Sequence, residues 1–84
     1  MKKAKPRTGS ELRRRLLADI DEPSVEQLIQ IDSAAAAFDL ALRAEREIGR
    51  HGVLINGPRG PRTNPAVAVA QTARQKLLRA LDRL

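Results

Sequence analysis

An all-α fold, in which a short N-terminal helix precedes an antiparallel helical hairpin, is predicted by three features of this 84-residue sequence. Apolar residues recur at helical spacing in three separate stretches. Ser24 and Asn64 each open a helix-start signature. Between the two long stretches lies Gly57-Pro58-Arg59-Gly60-Pro61-Arg62, a rigid basic segment that cannot continue a helix.

Residues 1–9 hold Lys2, Lys3, Lys5 and Arg7 with Pro6 and Gly9, and they lack apolar periodicity. They read as a disordered basic arm, ahead of a single helical oligomerisation domain over 10–84. Ser10 is expected to cap a short helix over about 11–20, striped by Leu12, Leu16, Leu17 and Ile20. Asp21-Glu22-Pro23 should stop it, because the residue before a proline is pushed out of the helical region.

Ser24-Val25-Glu26-Gln27 has the form of a capping box. The long helix it starts should run to about Arg50, with Leu28, Ile31, Ala35, Phe38, Leu42 and Ile48 marking its apolar face. Ala34 to Ala37 allow a neighbouring helix to approach closely, and Gly49 or Gly52 supplies a left-handed terminus. Val53-Leu54-Ile55 is a short strand candidate with a turn signal at Asn56-Gly57. Pro58 and Pro61 remove backbone donors, so a short, irregular β-hairpin-like connection is expected. Asn64 then caps a last helix with Pro65 at its first position, running to about Arg83. Ala66, Ala70, Ala73, Leu77, Leu81 and Leu84 share its apolar face, which Val69 and Leu78 widen.

Composition restricts the function. The chain has no cysteine, so thiolate metal sites and disulfides are excluded, and its one aromatic residue is Phe38. A core of Ala, Leu, Ile and Val in so short a chain is expected to be marginal alone and to favour oligomerisation. No apolar run approaches the ~20 residues of a membrane span. The basic start is followed by no apolar signal core, so an intracellular protein is expected.

The net charge of +6 is unevenly distributed. Residues 1–15 carry seven Lys or Arg against Glu11, residues 16–49 two arginines against eight carboxylates, and residues 50–84 seven cations against Asp82. Positive ends around a negative middle suit contact with a polyanion and head-to-tail contact between subunits. Lys2, Lys3 and Lys5 with Arg13, Arg14 and Arg15 form the densest basic cluster, and Arg59 and Arg62 form a second. The first reads equally as a grip on phosphates, with a steep salt dependence, or as a solubilising tail, and the second leaves backbone phosphate contact open. The absence of stacking aromatics argues against reading single-stranded bases.

Other motifs point to no chemistry. Gly52 to Gly57 has the glycine spacing of a phosphate loop, yet Pro58 and Arg59 stand where Lys and Ser or Thr are required. Arg59-Gly60-Pro61-Arg62 departs from the Gly-Arg-Pro core of minor-groove hooks and reads as a positive structural turn. His51, the only histidine, has no partner at metal-ligand spacing and suits the end of a helix. Asp32 and Asp39 read as intersubunit salt-bridge or solvated residues. No catalytic constellation, metal site or cofactor is expected.

Taken in order, the long acidic helix, the glycine-containing end, the irregular connection and Gly60 leading to Asn64-Pro65-Ala66 resemble the small terminase subunits of cos-type head-tail phages. The resemblance covers about residues 24–84. It implies a helical hairpin that assembles into a ring, binds double-stranded viral DNA and stimulates a large subunit carrying the ATPase and nuclease. On that resemblance both basic clusters would bind the DNA. The protein itself would not be an enzyme and would act in the host cytoplasm without membrane contact. By position, Gly57, Gly60, Asn64 and Pro65 would shape the turn, while Leu28, Phe38, Leu77 and Leu81 would build the hairpin interior. Two departures stand out: this sequence stops at Leu81-Asp82-Arg83-Leu84, short of a Gly-Leu-Thr-Pro-like tail, and the N-terminal region shows no helix-turn-helix pair. Two other readings share the composition: a pure assembly adaptor, and a small dimeric repressor or antitoxin-like regulator with two-fold symmetry.

Overall fold

A computed structural model describes residues 4–84. It is mostly helical, with three helices and one small antiparallel sheet. In chain order these are α1 (Gly9–Ala18), α2 (Val25–His51), β1 (Leu54–Gly57), β2 (Gly60–Thr63) and α3 (Pro65–Asp82). Lys2 and Lys3 lie outside the described residues.

The first helix starts earlier than its sequence pattern indicates. Thr8, not Ser10, is the cap: its hydroxyl accepts from the Glu11 N–H at 3.1 Å. Gly9 therefore belongs to α1 with Thr8 as its cap, and the arm expected to extend to residue 9 ends before Thr8. Glu11 reaches back to accept from the Arg7 N–H at 3.0 Å, completing a reciprocal arrangement around the helix start. α1 ends at Ala18 rather than near Ile20, because the Asp19 and Ile20 N–H groups tighten onto the Leu16 and Leu17 carbonyls. The Pro23 connection follows, with Glu22 at a φ of 47°.

Hydrogen bonding from Arg7 holds the Glu11 carboxyl below the usual carboxylate range, with the Arg15 guanidinium acting in the same direction. A depressed folded-state pKa contributes stability above the unfolded-state value and loses it as pH falls through the folded-state one. Acidification past that point is therefore expected to open the start of α1 before the hairpin. Amide exchange at Arg7 measured against pH checks this.

Ser24 forms the capping box read from the sequence, with the Gln27 N–H donating to Ser24 Oγ at 3.1 Å and Ser24 N–H to Gln27 Oε1 at 2.9 Å. α2 ends at Gly52, whose φ of 83° suits only glycine comfortably. Gly49 lies inside the helix, and a Cβ there would meet nothing within 4 Å. Gly49→Ala is accordingly expected to stabilise the fold by about 0.5–1 kcal/mol, checked by urea unfolding.

The connection is more regular than expected. β1 and β2 pair antiparallel from Leu54↔Thr63 to Gly57↔Gly60, so the turn lies at Pro58-Arg59 and not at Asn56-Gly57. Pro58 fixes a negative φ at the first central position. Gly60, with φ at 106°, supplies the left-handed residue that carries the chain into β2. Pro61 is tolerated because both strands of a two-stranded sheet are edges.

α2 and α3 pack against each other, and α1 packs on α2. The buried α2 residues are Ile31, Ala34, Ala37, Ala41 and Ala44; on α3 they are Ala70, Ala73, Leu77 and Ala80. The apolar face expected on α2 is thus rotated: alanines meet α3, while Phe38 lies at the margin with Leu12, Leu16 and Leu81. Leu28 and Leu81 are half-buried rather than interior, whereas Leu77 is buried. Alanine seams allow close helix approach but bury little area per residue. The result is flat and elongated, with principal extents of 54 × 30 × 16 Å.

Asp32 and Asp39 act within the chain. Asp32 pairs with Arg13 at 2.8 Å, and Asp39 accepts from the Gly9 N–H at 2.8 Å. In place of the intersubunit salt-bridge or solvated role expected for them, both bind α1, which runs antiparallel to α2 along this side.

Candidate nucleic-acid interface

The turn that carries Arg59 and Arg62 is fastened at its base by Asn64. The Asn64 carboxamide oxygen accepts from the Ala66 N–H at 3.0 Å, capping α3. Its amide nitrogen donates to the Gly52 carbonyl at 3.0 Å, and its backbone N–H to the Val53 carbonyl at 2.7 Å. One buried polar side chain thus joins the end of α2 to the start of α3. Pro65 occupies the first turn of α3, where its missing donor costs nothing.

On this base the hairpin projects two cations. Arg59 occupies the turn and Arg62 faces Ile55 across the ladder. The Arg62 side chain passes over Gly57, where a Cβ would come within 3.2 Å of its Cδ. Both arginines are exposed, and neither makes an ion pair with a described residue. All four turn residues identified from the sequence, Gly57, Gly60, Asn64 and Pro65, shape this one feature.

The N-terminal cluster divides. Arg13 is committed to Asp32, and Arg15 to Glu11 at 2.8 Å and to the Ala4 carbonyl. Lys5 and Arg14 are exposed and form no ion pair among the described residues. Arg13 therefore ties α1 to α2, while Arg15 is bound within α1 and to the segment that precedes it. Arg13 lies beside Asp32, some twenty helical residues from Gly52, so roughly 30 Å separates this end of α1 from the hairpin base. The two basic clusters do not merge into one patch.

Other cations occupy positions that regional charge counting obscured. Arg43 and Arg46 lie within the net-acidic segment, yet both are exposed and form no ion pair with a described residue. Lys76, Arg79 and Arg83 line a groove of about 490 Å³ between α2 and α3. The available signal was positional: 76, 79 and 83 share one α-helical face. His51 and Arg50 flank Glu47 at 3.5 and 3.6 Å in the last turn of α2, where the Arg50 charge complements the helix dipole.

Among the described residues no group of three His, Cys, Asp or Glu is placed to hold a metal ion. Among the described residues no helix is long and apolar enough to cross a membrane. Comparisons with family models, with curated proteins and with solved structures gave no match.

Proposed function

We propose that this chain is a non-enzymatic DNA-packaging subunit of the small-terminase type, which assembles into a ring, contacts duplex DNA through phosphates and regulates a large-subunit motor. The observation that carries the proposal is the basic hairpin tip: two exposed arginines without ion-pair partners among the described residues, fastened by the Gly52–Asn64–Ala66 staple. A rigid tip presents guanidinium groups to phosphate at low ordering cost. The Asn64-Pro65 start and the antiparallel return of α3 agree with the order of elements on which the resemblance rests.

Assembly is favoured by apolar side chains left on the surface. Leu40 on α2 and Val69 on α3, 38% and 41% exposed, line one shallow apolar depression that a neighbouring subunit would cover.

Native mass spectrometry across ionic strengths, followed by duplex titration against salt, tests the proposal. A discrete assembly of many subunits that binds DNA with a steep log–log salt slope is the expected result. A monomer or dimer at every concentration would redirect the reading to the small regulator. Assembly without DNA binding would redirect it to the adaptor.

A further inference from the structure

The fold brings Arg7 to Arg43 and Arg46. Although 36 residues separate Arg7 from Arg43 in sequence, all three line one concavity of about 330 Å³, together with Thr8, Asp39 and Leu42. The approach follows from α1 docking: Gly9 lies against Ala35 and Asp39, which directs the preceding Arg7 toward the next turns of α2.

The electrostatics of this concavity are one-sided. None of the three arginines forms an ion pair with a described residue. The single carboxylate in its lining, Asp39, already accepts the Gly9 N–H through Oδ1. Three guanidinium groups around one committed carboxylate leave an excess of positive charge that an incoming anion would relieve. The planar, multidonor guanidinium matches phosphate oxygens in particular.

The concavity also has a direction. Arg43, Arg46 and Arg50 recur at i, i+3 and i+7, one stripe of α2 leading to Gly52 and the hairpin, with Arg50 loosely paired to Glu47 at 3.6 Å and 67% exposed. Seven residues rise about 10 Å, a length over which one strand of duplex DNA presents about three phosphates.

We propose that Arg7, Arg43 and Arg46 form a phosphate-binding cradle, and that with Arg50 it makes a backbone track along α2 which guides duplex DNA toward the Arg59–Arg62 tip. The track deepens the DNA-binding reading above and rests on it; the cradle's affinity for phosphate itself does not. The ligand chemistry is a phosphate oxyanion, whose source is either a DNA phosphodiester or free phosphate.

The test compares wild type with the double variants Arg43→Gln/Arg46→Gln and Arg59→Gln/Arg62→Gln. Duplex affinity is titrated against salt, and thermal midpoints are read in inorganic phosphate and in chloride at matched ionic strength. These exposed changes should leave the midpoint in chloride unaltered. Arg43→Gln/Arg46→Gln is expected to abolish the extra stabilisation by phosphate, weaken duplex binding about tenfold or more at low salt, and reduce the salt slope by about two. Arg59→Gln/Arg62→Gln should lower the slope similarly while retaining the phosphate effect. Wild-type affinity and slope in Arg43→Gln/Arg46→Gln, with loss only in the tip variant, would overturn the track and leave the proposed function standing. If wild type binds no duplex, the proposed function and the track both fail. The cradle then survives as a free-phosphate site only where phosphate stabilisation still depends on Arg43 and Arg46, and it is overturned where that dependence is absent.

Discussion

Asn64→Ala is expected to destabilise the protein by about 2–3 kcal/mol, because one substitution removes both a helix cap and the bond to the end of α2. The side chain is 7% exposed, so water has little access to replace it. The Ala66 N–H would lose its acceptor and the Gly52 carbonyl its donor. Asn64→Asp separates the two contributions. It keeps an acceptor for Ala66 and adds favourable charge at the start of α3, yet turns an oxygen toward the Gly52 carbonyl. An unfolding midpoint for the aspartate variant between those of wild type and Asn64→Ala would show that both bonds matter. Equal midpoints for Asp and wild type would reduce the role of Asn64 to capping alone. Since Asn64 anchors the basic tip, the alanine variant should also bind duplex less tightly at temperatures where the fold remains intact, and amide exchange at Leu54 to Thr63 should rise.

Local signals carried most of this fold. The Ser24 capping box and the Asn64-Pro65 start each act within a few residues, so their sequence signatures translate directly into geometry. The seam between α2 and α3 was less legible, because alanine contributes little hydrophobic contrast and the larger Phe38 and Leu42 drew the expected face toward α1. Asp39 could not have been placed from sequence: its role depends on Gly9, thirty residues away, arriving at bonding distance. The site shows the same division. The basic tip was visible as a motif. The grouping of Arg7 with Arg43 and Arg46 arises only once α1 lies on α2, and a sum over an acidic segment hides two cations on one face of it. The dense run Arg13-Arg14-Arg15 drew attention through its charge, whereas two of its members are neutralised within the chain.

The same chemical change at two glycines should have opposite signs. At Gly49 an added methyl enters open space and favours the helix. At Gly9 it would enter the Ala35 backbone carbonyl and the Asp39 carboxylate, inside van der Waals contact with both. The Asp39 side chain could rotate away, but the carbonyl belongs to the interior of α2 and cannot. α1 must therefore lift, which weakens the Gly9–Asp39 bond and the packing of Leu12 and Leu16 against the core. Together these losses are expected to cost about 2–4 kcal/mol for Gly9→Ala. Asp39→Ala in the same chain should not restore the loss, since the backbone obstruction remains. Urea unfolding gives the magnitude, and proteolysis within the α1–α2 connection should accelerate as α1 is released. A Gly9→Ala protein as stable as wild type would mean that α1 is not held against α2 at this distance. Displacement of α1 also carries Arg7 away from Arg43 and Arg46, so the variant should lose stabilisation by phosphate even where its hairpin stays folded. Gly49→Ala, with the cradle undisturbed, should retain it.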